Sequence, residues 1–349
     1  MQSAGKLPAV DSGQRSDPGR DPDKQVNEDA CGRWETRFGH LCVVCDGMGG
    51  HAAGREAAEL AVSTVVEEFA RAADGTAPAD VLRAAIEEAN RRVHVLRTSE
   101  IGLGRPGCTV VATLTHSGGT EVAHVGDSRA YLVHGGQISR LTHDHSIVQQ
   151  LVDRGLLTPE QSVHHPDANR ITRALGIGPD TDVEVRPRPV AHVTGDAFIL
   201  CSDGLSDLVE DFEILGIVGD EPAAQAVGKL VDLANARGGH DNITVLVLRV
   251  QESAGLPHST DIARTVAQTR TTFPSELAPA ETSAQQAPDS PERNNPVPRR
   301  PRSRLLGRWP RRVVMAILVL ASLAVVLLGG VAFYRLHERL GHSHRVVQP

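Results

Sequence analysis

Apolar positions along the chain switch between two spacings. Phe38–Asp46, FGHLCVVCD, is a short run of apolar and β-branched residues, and so are CTVVATLTH, TEVAHVGDSRAYLVHGGQISRLT, DAFILCSDGL and NITVLVLRV; all read as strands. Gly135 and Gly136, between AYLVH and QISRL, predict a hairpin turn. Two other stretches repeat at helical spacing: Ala57, Ala58, Leu60, Ala61, Val65 and Phe69, then Val81, Leu82, Ala85, Ile86, Ala89 and Val93. Between Asp144 and Gly176 the pattern breaks into short helical pieces and loops, SIVQQLVDRGLL and TPEQSV, a segment able to move over a site. Strands joined by hairpins, with helices beside them, predict an α+β layered domain and not a strictly alternating parallel one.

The same pattern divides the chain. Residues 1–20 are polar, rich in Gly, Ser, Asp and Pro, and predict a disordered N-terminus. The folded domain is expected over 21–250. Residues 251–312 shift to Pro, Ala, Ser and Thr and then to arginine, as a flexible linker does, with seven arginines between Arg299 and Arg312. Residues 313–334 follow, 22 without a charge. As a helix that run spans about 33 Å, enough for a hydrocarbon core of about 30 Å. A buried core helix is the alternative, but such helices are shorter and rarely apolar on every face. The arginines before the span, against Arg335, Arg339 and Arg345 after it, orient the domain toward the cytoplasm. A single-pass protein of the cell membrane results, with 335–349 a short extracytoplasmic tail. His337, His342 and His344 in that tail suit an unstructured polar segment better than a metal site.

Charge separates the same two regions. Through Val250 there are 36 Asp and Glu against 23 Lys and Arg, and from Gln251 onward 7 against 13. An acidic body argues against a nucleic-acid-binding face and predicts cations wherever its carboxylates converge. All five cysteines, Cys31, Cys42, Cys45, Cys108 and Cys201, lie in this body, an odd count that reads as reduced, buried thiols. Cys42 and Cys45 form a C-x-x-C, but on a strand an offset of three places them on opposite faces.

Acidic signatures recur where predicted strands end or begin. VVCDGMGGH, Val43–His51, runs a strand into Asp46 and then into Gly47, Gly49 and Gly50, a place where backbone must approach something closely. NEDA at Asn27–Ala30, GDSR around Asp127, CSDGL around Asp203 and HDN at His240–Asn242 complete the set. Bringing these carboxylates to one rim costs repulsion and desolvation that a strong countercharge must offset. Without a His/Cys cluster at ligand spacing, the donors point to Mg²⁺ or Mn²⁺ and not Zn²⁺.

In this order the motifs resemble the metal-dependent serine/threonine protein phosphatases of the PP2C (PPM) family in their bacterial form. The resemblance covers about Lys24 to Val250, carried by DGMGGH, GDSRAYL, SDGL and DNIT. It implies a four-layer α/β/β/α sandwich with two central antiparallel sheets and a centre of two Mn²⁺ or Mg²⁺ ions, with a third ion in many bacterial relatives. It further implies that Asp46, the Gly47 carbonyl, Asp203 and Asp241 bind metal, and that Asp127 helps hold a third ion. Glu28 would act through metal-activated water, with Asp29 beside it in the catalytic set, and Asp144–Gly176 would be the family's flap. Where the family places an arginine three residues before the asparagine of NED, this chain has Lys24, which offers charge without a bidentate fork. Arg20 is the alternative grip on substrate phosphate. His51 is a candidate general acid, with packing at a helix N-terminus as its other role.

The implied activity is hydrolysis of phosphoserine and phosphothreonine on proteins by a monomer whose partners are phosphoproteins, Ser/Thr kinases and the kinases' targets among them. A catalytically silent, membrane-tethered module on the same fold is the rival. Two other motif readings fail. Cys31–Arg37 matches C-x₅-R, but Trp34 and Glu35 would obstruct and repel a phosphate there. DPDKQVNEDACG lacks both the turn glycine and the bidentate glutamate of a calcium loop, with Val26 and Gly32 in their places.

Overall fold

The computed structural model describes residues 7–252 apart from 23, 25, 51, 100–103 and 164. The chain opens with β1 (Ala9–Asp17), β2 (Ala30–Thr36), β3 (Gly39–Cys45) and β4 (Gly47–Met48), then helices α1 (Ala52–Arg71) and α2 (Pro78–Ser99). β5 (Gly107–Cys108), β6 (Val110–His116), β7 (Gly119–Val125), β8 (Arg129–His134) and β9 (Gln137–Arg140) follow. After α3 (Ile147–Asp153), α4 (Pro159–Val163) and β10 (Glu184–Val185), the chain closes with β11 (Ala197–Cys201), α5 (Asp203–Ser206), α6 (Asp211–Asp220), α7 (Ala223–Ala236) and β12 (Ile243–Glu252).

Two five-stranded antiparallel sheets form the middle, in the orders β1-β12-β11-β8-β9 and β10-β7-β6-β3-β2, and β4 and β5 make a small ribbon of their own. The period-2 alternation of the strands builds the layers. On β3, Leu41, Val43 and Cys45 pack under α1 and α2, whereas Cys42 and Val44 face the other sheet. On β11 and β12, Ile199, Cys201, Val245 and Val247 pack under α6 and α7, and Phe198, Leu200, Leu246 and Leu248 fill the space between the sheets. The result is helix, sheet, sheet, helix, as expected. The C-x-x-C is split between two cores, and all five thiols are free.

Small residues on one face of α1, Ala53, Gly54, Ala57, Ala58 and Ala61, are buried and let the helix lie close to the sheet. The hairpin between β8 and β9 forms at Gly135 and Gly136, with φ of 55° and 75°, the double left-handed geometry of a type I′ turn.

One expectation fails. The N-terminus is not disordered up to residue 20: β1 lies along the edge of a sheet, from Val10 opposite Val250 to Asp17 opposite Ile243. Its polar composition misleads, because an edge strand is held by ladder hydrogen bonds more than by buried side chains. Asp11 Oδ2 accepts the N–H of Ala223 (2.9 Å) and so caps α7, whose own preceding residue is Pro222. Gly13 lets β1 touch that helix, since a Cβ there would come within 2.6 Å of the Ala223 carbonyl. The domain therefore starts at Ala9 and not at residue 21. Among the described residues no helix is long and apolar enough to cross a membrane. The expected linker, the apolar span 313–334 and the tail after it lie outside those residues, as does His51.

Deleting residues 1–17 should open the edge of β12 and uncap α7. The shortened domain is expected to unfold at lower urea and to aggregate more readily, while Asp11→Ala alone costs about 1 kcal/mol. Unchanged unfolding midpoints for both would show that β1 is not part of the folded unit.

Candidate metal centre

Strand register brings the acidic motifs to one rim. Ala30 pairs with Cys45, and Cys201 lies between Arg129 and Val245. Asp29, Asp46, Asp127, Asp203 and Asp241 thus sit one or two residues beyond strand ends that are neighbours in space or in the facing sheet. Asp46 lies within electrostatic reach of all four of the others. Lys24 reaches the same place and ion-pairs with Asp241.

Polar side chains hold the rim from below. The Asp46 N–H donates to Thr109 Oγ1 (3.0 Å) while its carbonyl accepts from the Thr109 N–H (2.8 Å). Thr109 and Ser128 share a hydroxyl hydrogen bond (2.7 Å), which ties the Asp46 loop to the turn that carries Asp127. Asn242 Oδ1 accepts the Glu28 N–H (2.7 Å), and its Nδ2 donates to the Pro18 carbonyl (3.0 Å). Asn27 Oδ1 accepts the Asp29 N–H (3.1 Å), and Ser202 Oγ donates to Asp29 Oδ2 (2.8 Å). None of Thr109, Ser128, Ser202 and Asn242 stands out as a site residue in the sequence, although three of them directly follow or precede a rim aspartate there.

Glycine is required twice. A Cβ on Gly47 would come within 2.3 Å of the Gly54 carbonyl and 2.4 Å of the Glu28 carbonyl. A Cβ on Gly54 would overlap the Glu28 carboxylate at 1.9 Å. The glycines after Asp46 and at the start of α1 therefore leave room for Glu28 to enter the site.

The electrostatics are those of anions crowded away from water. Burial pushes Asp46 well above the ordinary carboxylate range, and Asp29, Asp203, Asp127 and Asp241 add to it. Asp127 is raised by burial, then by Asp203 and Asp144. Asp203 rises to about 6 through burial and then Asp207 and Asp241, and Asp29 to about 7 through burial, with the Ser202 and Thr244 hydroxyls opposing. Burial works against the charge on Lys24, but Asp241, Asp203 and Asp46 outweigh it and keep the ammonium protonated. Arg129 also faces the rim, yet its guanidinium is already engaged by Asp144 at 2.7 and 3.0 Å.

Two oxygens in this crowd, Asp29 Oδ1 and Asp203 Oδ1, are buried without a hydrogen-bond partner. Buried carboxylate oxygens left unpaired beside other carboxylates fit hard divalent cations such as Mg²⁺ or Mn²⁺. A thiol mechanism does not fit. Cys31 lies in β2, an extended strand and not a phosphate-cradling loop, and burial and Asp29 push its thiol up to about 11, the reverse of what a thiolate nucleophile needs.

Fold and rim together define a class of metal-dependent hydrolase, and comparison with known proteins narrows it. Residues 20–244 match the family model of protein phosphatase 2C, so the chain belongs to that family, the metal-dependent protein serine/threonine phosphatases. It is 35% identical over 239 residues to the serine/threonine phosphatase stp of Listeria welshimeri, covering 67% of this chain and 93% of that relative. It is 38% identical over 215 residues to the serine/threonine protein phosphatase PstP of Mycobacterium tuberculosis, 60% of this chain and 40% of that protein. The crystal structure of the PstP catalytic domain in complex with two manganese ions superposes with a TM-score of 0.59 at 33% identity, covering 70% of this chain and 99% of that one.

The raised carboxyls set a pH dependence. Asp203 and Asp29, lifted from 3.8 to about 6 and about 7, favour the folded state in their protonated forms. Without metal that contribution is complete below about pH 4 and is lost as pH rises through 6 and 7. A bound divalent cation favours the ionised forms instead. The difference in Tm between Mn²⁺-loaded and EDTA-treated protein is thus expected to widen from pH 5 to pH 8; a difference that narrows would contradict the crowded rim.

Proposed function

We propose that this chain removes phosphate from phosphoserine and phosphothreonine in proteins, using two Mn²⁺ or Mg²⁺ ions held by Asp46, the Gly47 carbonyl, Asp203 and Asp241, with Asp127 serving a third. The observation that carries this reading is the meeting of these carboxylates on one rim, where Asp203 Oδ1 and, beside the set, Asp29 Oδ1 are buried without a hydrogen-bond partner. Such a pair of ions lowers the pKa of a water toward neutrality and offsets the charge of a phosphate.

The chain's own residues do the rest. Glu28, with its N–H held by Asn242 and its carboxylate against Gly54, orients the attacking water by accepting its hydrogen bond. Asp29, buried and bonded to Ser202, adds a further carboxyl to the crowd around Asp46 and Asp203. Lys24 stands at the mouth, half exposed and charged, where it can meet the substrate phosphate. Arg20 is set apart from this position: its N–H donates to the Gly239 carbonyl (2.7 Å), and its charge falls on Asp17.

We further propose that residues 313–334 anchor the chain in the cell membrane with the domain on the cytoplasmic side. The charge-free run and the arginine asymmetry support this reading. A linker of about 60 residues has an r.m.s. reach of roughly 40–45 Å. Substrates would then lie at the inner membrane face, including Ser/Thr kinases and their targets.

Hydrolysis of a phosphothreonine peptide should require Mn²⁺ or Mg²⁺ and stop on chelation. Outer-shell changes at metal sites cost 10–100-fold, so Asp46→Asn and Asp203→Asn should each lower kcat by more than about 100-fold. Their metal-free Tm should not fall, because each removes a repelling charge. Lys24→Ala should raise KM more than it lowers kcat, with Lys24→Arg close to wild type. Full activity in Asp46→Asn would overturn the metal assignment. For the anchor, the full chain should remain in carbonate-washed membranes while a chain ending at 252 is released and still active; a full chain found in the soluble fraction would refute the tether.

A further inference from the structure

Away from the rim, three side chains gather where the segment 144–176 leaves and rejoins the sheets. His124 on β7, His145 and Glu184 on β10 bring donor atoms within 4.8 Å of one another. The hydrogen bonds show what this group is. His145 is buried, and its Nδ1 accepts the N–H of Gly126 (3.1 Å). That leaves the imidazole proton on Nε2, which donates to Glu184 Oε2 (3.1 Å). Arg173 Nη1, 3.4 Å from Nε2, is itself a donor and is engaged by Asp182 at 3.1 Å, so Glu184 is the partner of that nitrogen. A metal ion on Nε2 would need a proton on Nδ1 facing the Gly126 N–H, which makes the trio a hydrogen-bonded relay and not a ligand set. His124 stacks on the His145 ring (4.6 Å, 19°) and donates from Nε2 to the His143 carbonyl (2.8 Å).

The relay ends next to a rim aspartate. Gly126 precedes Asp127 and has φ of 113°, and a Cβ there would come within 2.6 Å of Thr109, the residue that grips Asp46 from both sides. The backbone of His145 makes two more links: its N–H donates to the Gly126 carbonyl (3.0 Å), and its carbonyl accepts from the Thr172 N–H (2.6 Å). One residue thus joins the Asp127 turn, β10 and the returning limb of the segment.

We propose that His145 is a positioning residue for the metal rim: its ring, oriented by Glu184, holds the Gly126–Asp127 turn so that the Asp127 carboxylate stays in reach of Asp46 and Asp203. This rests on the reading of Asp127 as a metal ligand. The role differs from plain packing because it needs an acceptor at one atom. Asparagine places Oδ1 near the position of Nδ1, glutamine reaches Glu184 but leaves the Gly126 N–H unmet, and leucine does neither.

Calorimetric titration of Mn²⁺ into the metal-stripped full chain in detergent tests it, with Asp127→Asn as the reference. His145→Leu and His145→Gln are expected to weaken the Mn²⁺ affinity that Asp127→Asn weakens, by roughly 10–100-fold, and His145→Asn to keep it within about threefold of wild type. If Asp127→Asn leaves Mn²⁺ binding unchanged, the ligand reading falls and the proposal with it. If Asp127→Asn weakens binding but His145→Gln and His145→Asn bind Mn²⁺ equally well, the positioning role alone is overturned. The last comparison decides the matter even if His145→Leu does not fold.

Discussion

Carboxylates drawn from distant parts of one chain to a common rim raise the free energy twice, once through lost hydration and once through their repulsion. In this domain Asp46, Asp203, Asp127 and Asp29 all show both effects. Nothing local would assemble them, because neighbouring positions along a chain offer no attraction among acids. The force that brings them together lies elsewhere, in the layers of Leu, Val, Ile and Phe that pack the two sheets and their helices. Burial of that apolar surface, at about 25 cal/mol per Å², is large enough to carry a rim that opposes folding.

The sandwich also explains how the rim can be precise. Its aspartates lie only one or two residues from strand ends, and the supports beneath them are short hydroxyl and amide side chains with little freedom. Thr109 binds the Asp46 backbone on both sides, Ser202 binds Asp29, and Asn242 binds Glu28 and Pro18. Each side-chain length matters, and so does each missing side chain at Gly47 and Gly54, where even a methyl group would displace Glu28.

How much of this could be read in advance follows from where the information lies. The strands β3, β6, β7, β8, β11 and β12 and the helices α1 and α2 were readable because their alternation is local. The rim aspartates are legible because each borders a predicted strand in a fixed order of motifs. β1 is not legible, since its own Ser12, Gly13 and Gln14 look like a loop until β12 is placed beside them. α6 and α7 escaped although Ala226, Val227, Leu230, Val231 and Ala234 repeat at helical spacing. His145 could not have been found at all: nothing in THDHS separates its ring from that of His143, which faces Asp153 at the surface.

The pairing of β1 with β12 ties the opening of the domain to its close, with Ala9 opposite Glu252. During synthesis the first strand must therefore wait, without its hydrogen-bond partner, until nearly 240 further residues have been made, a loop closure of the slowest kind. Asp241 and Asn242, the final contributors to the rim, emerge just ahead of that same strand. The acidic cluster thus becomes complete only at the moment the sheet does.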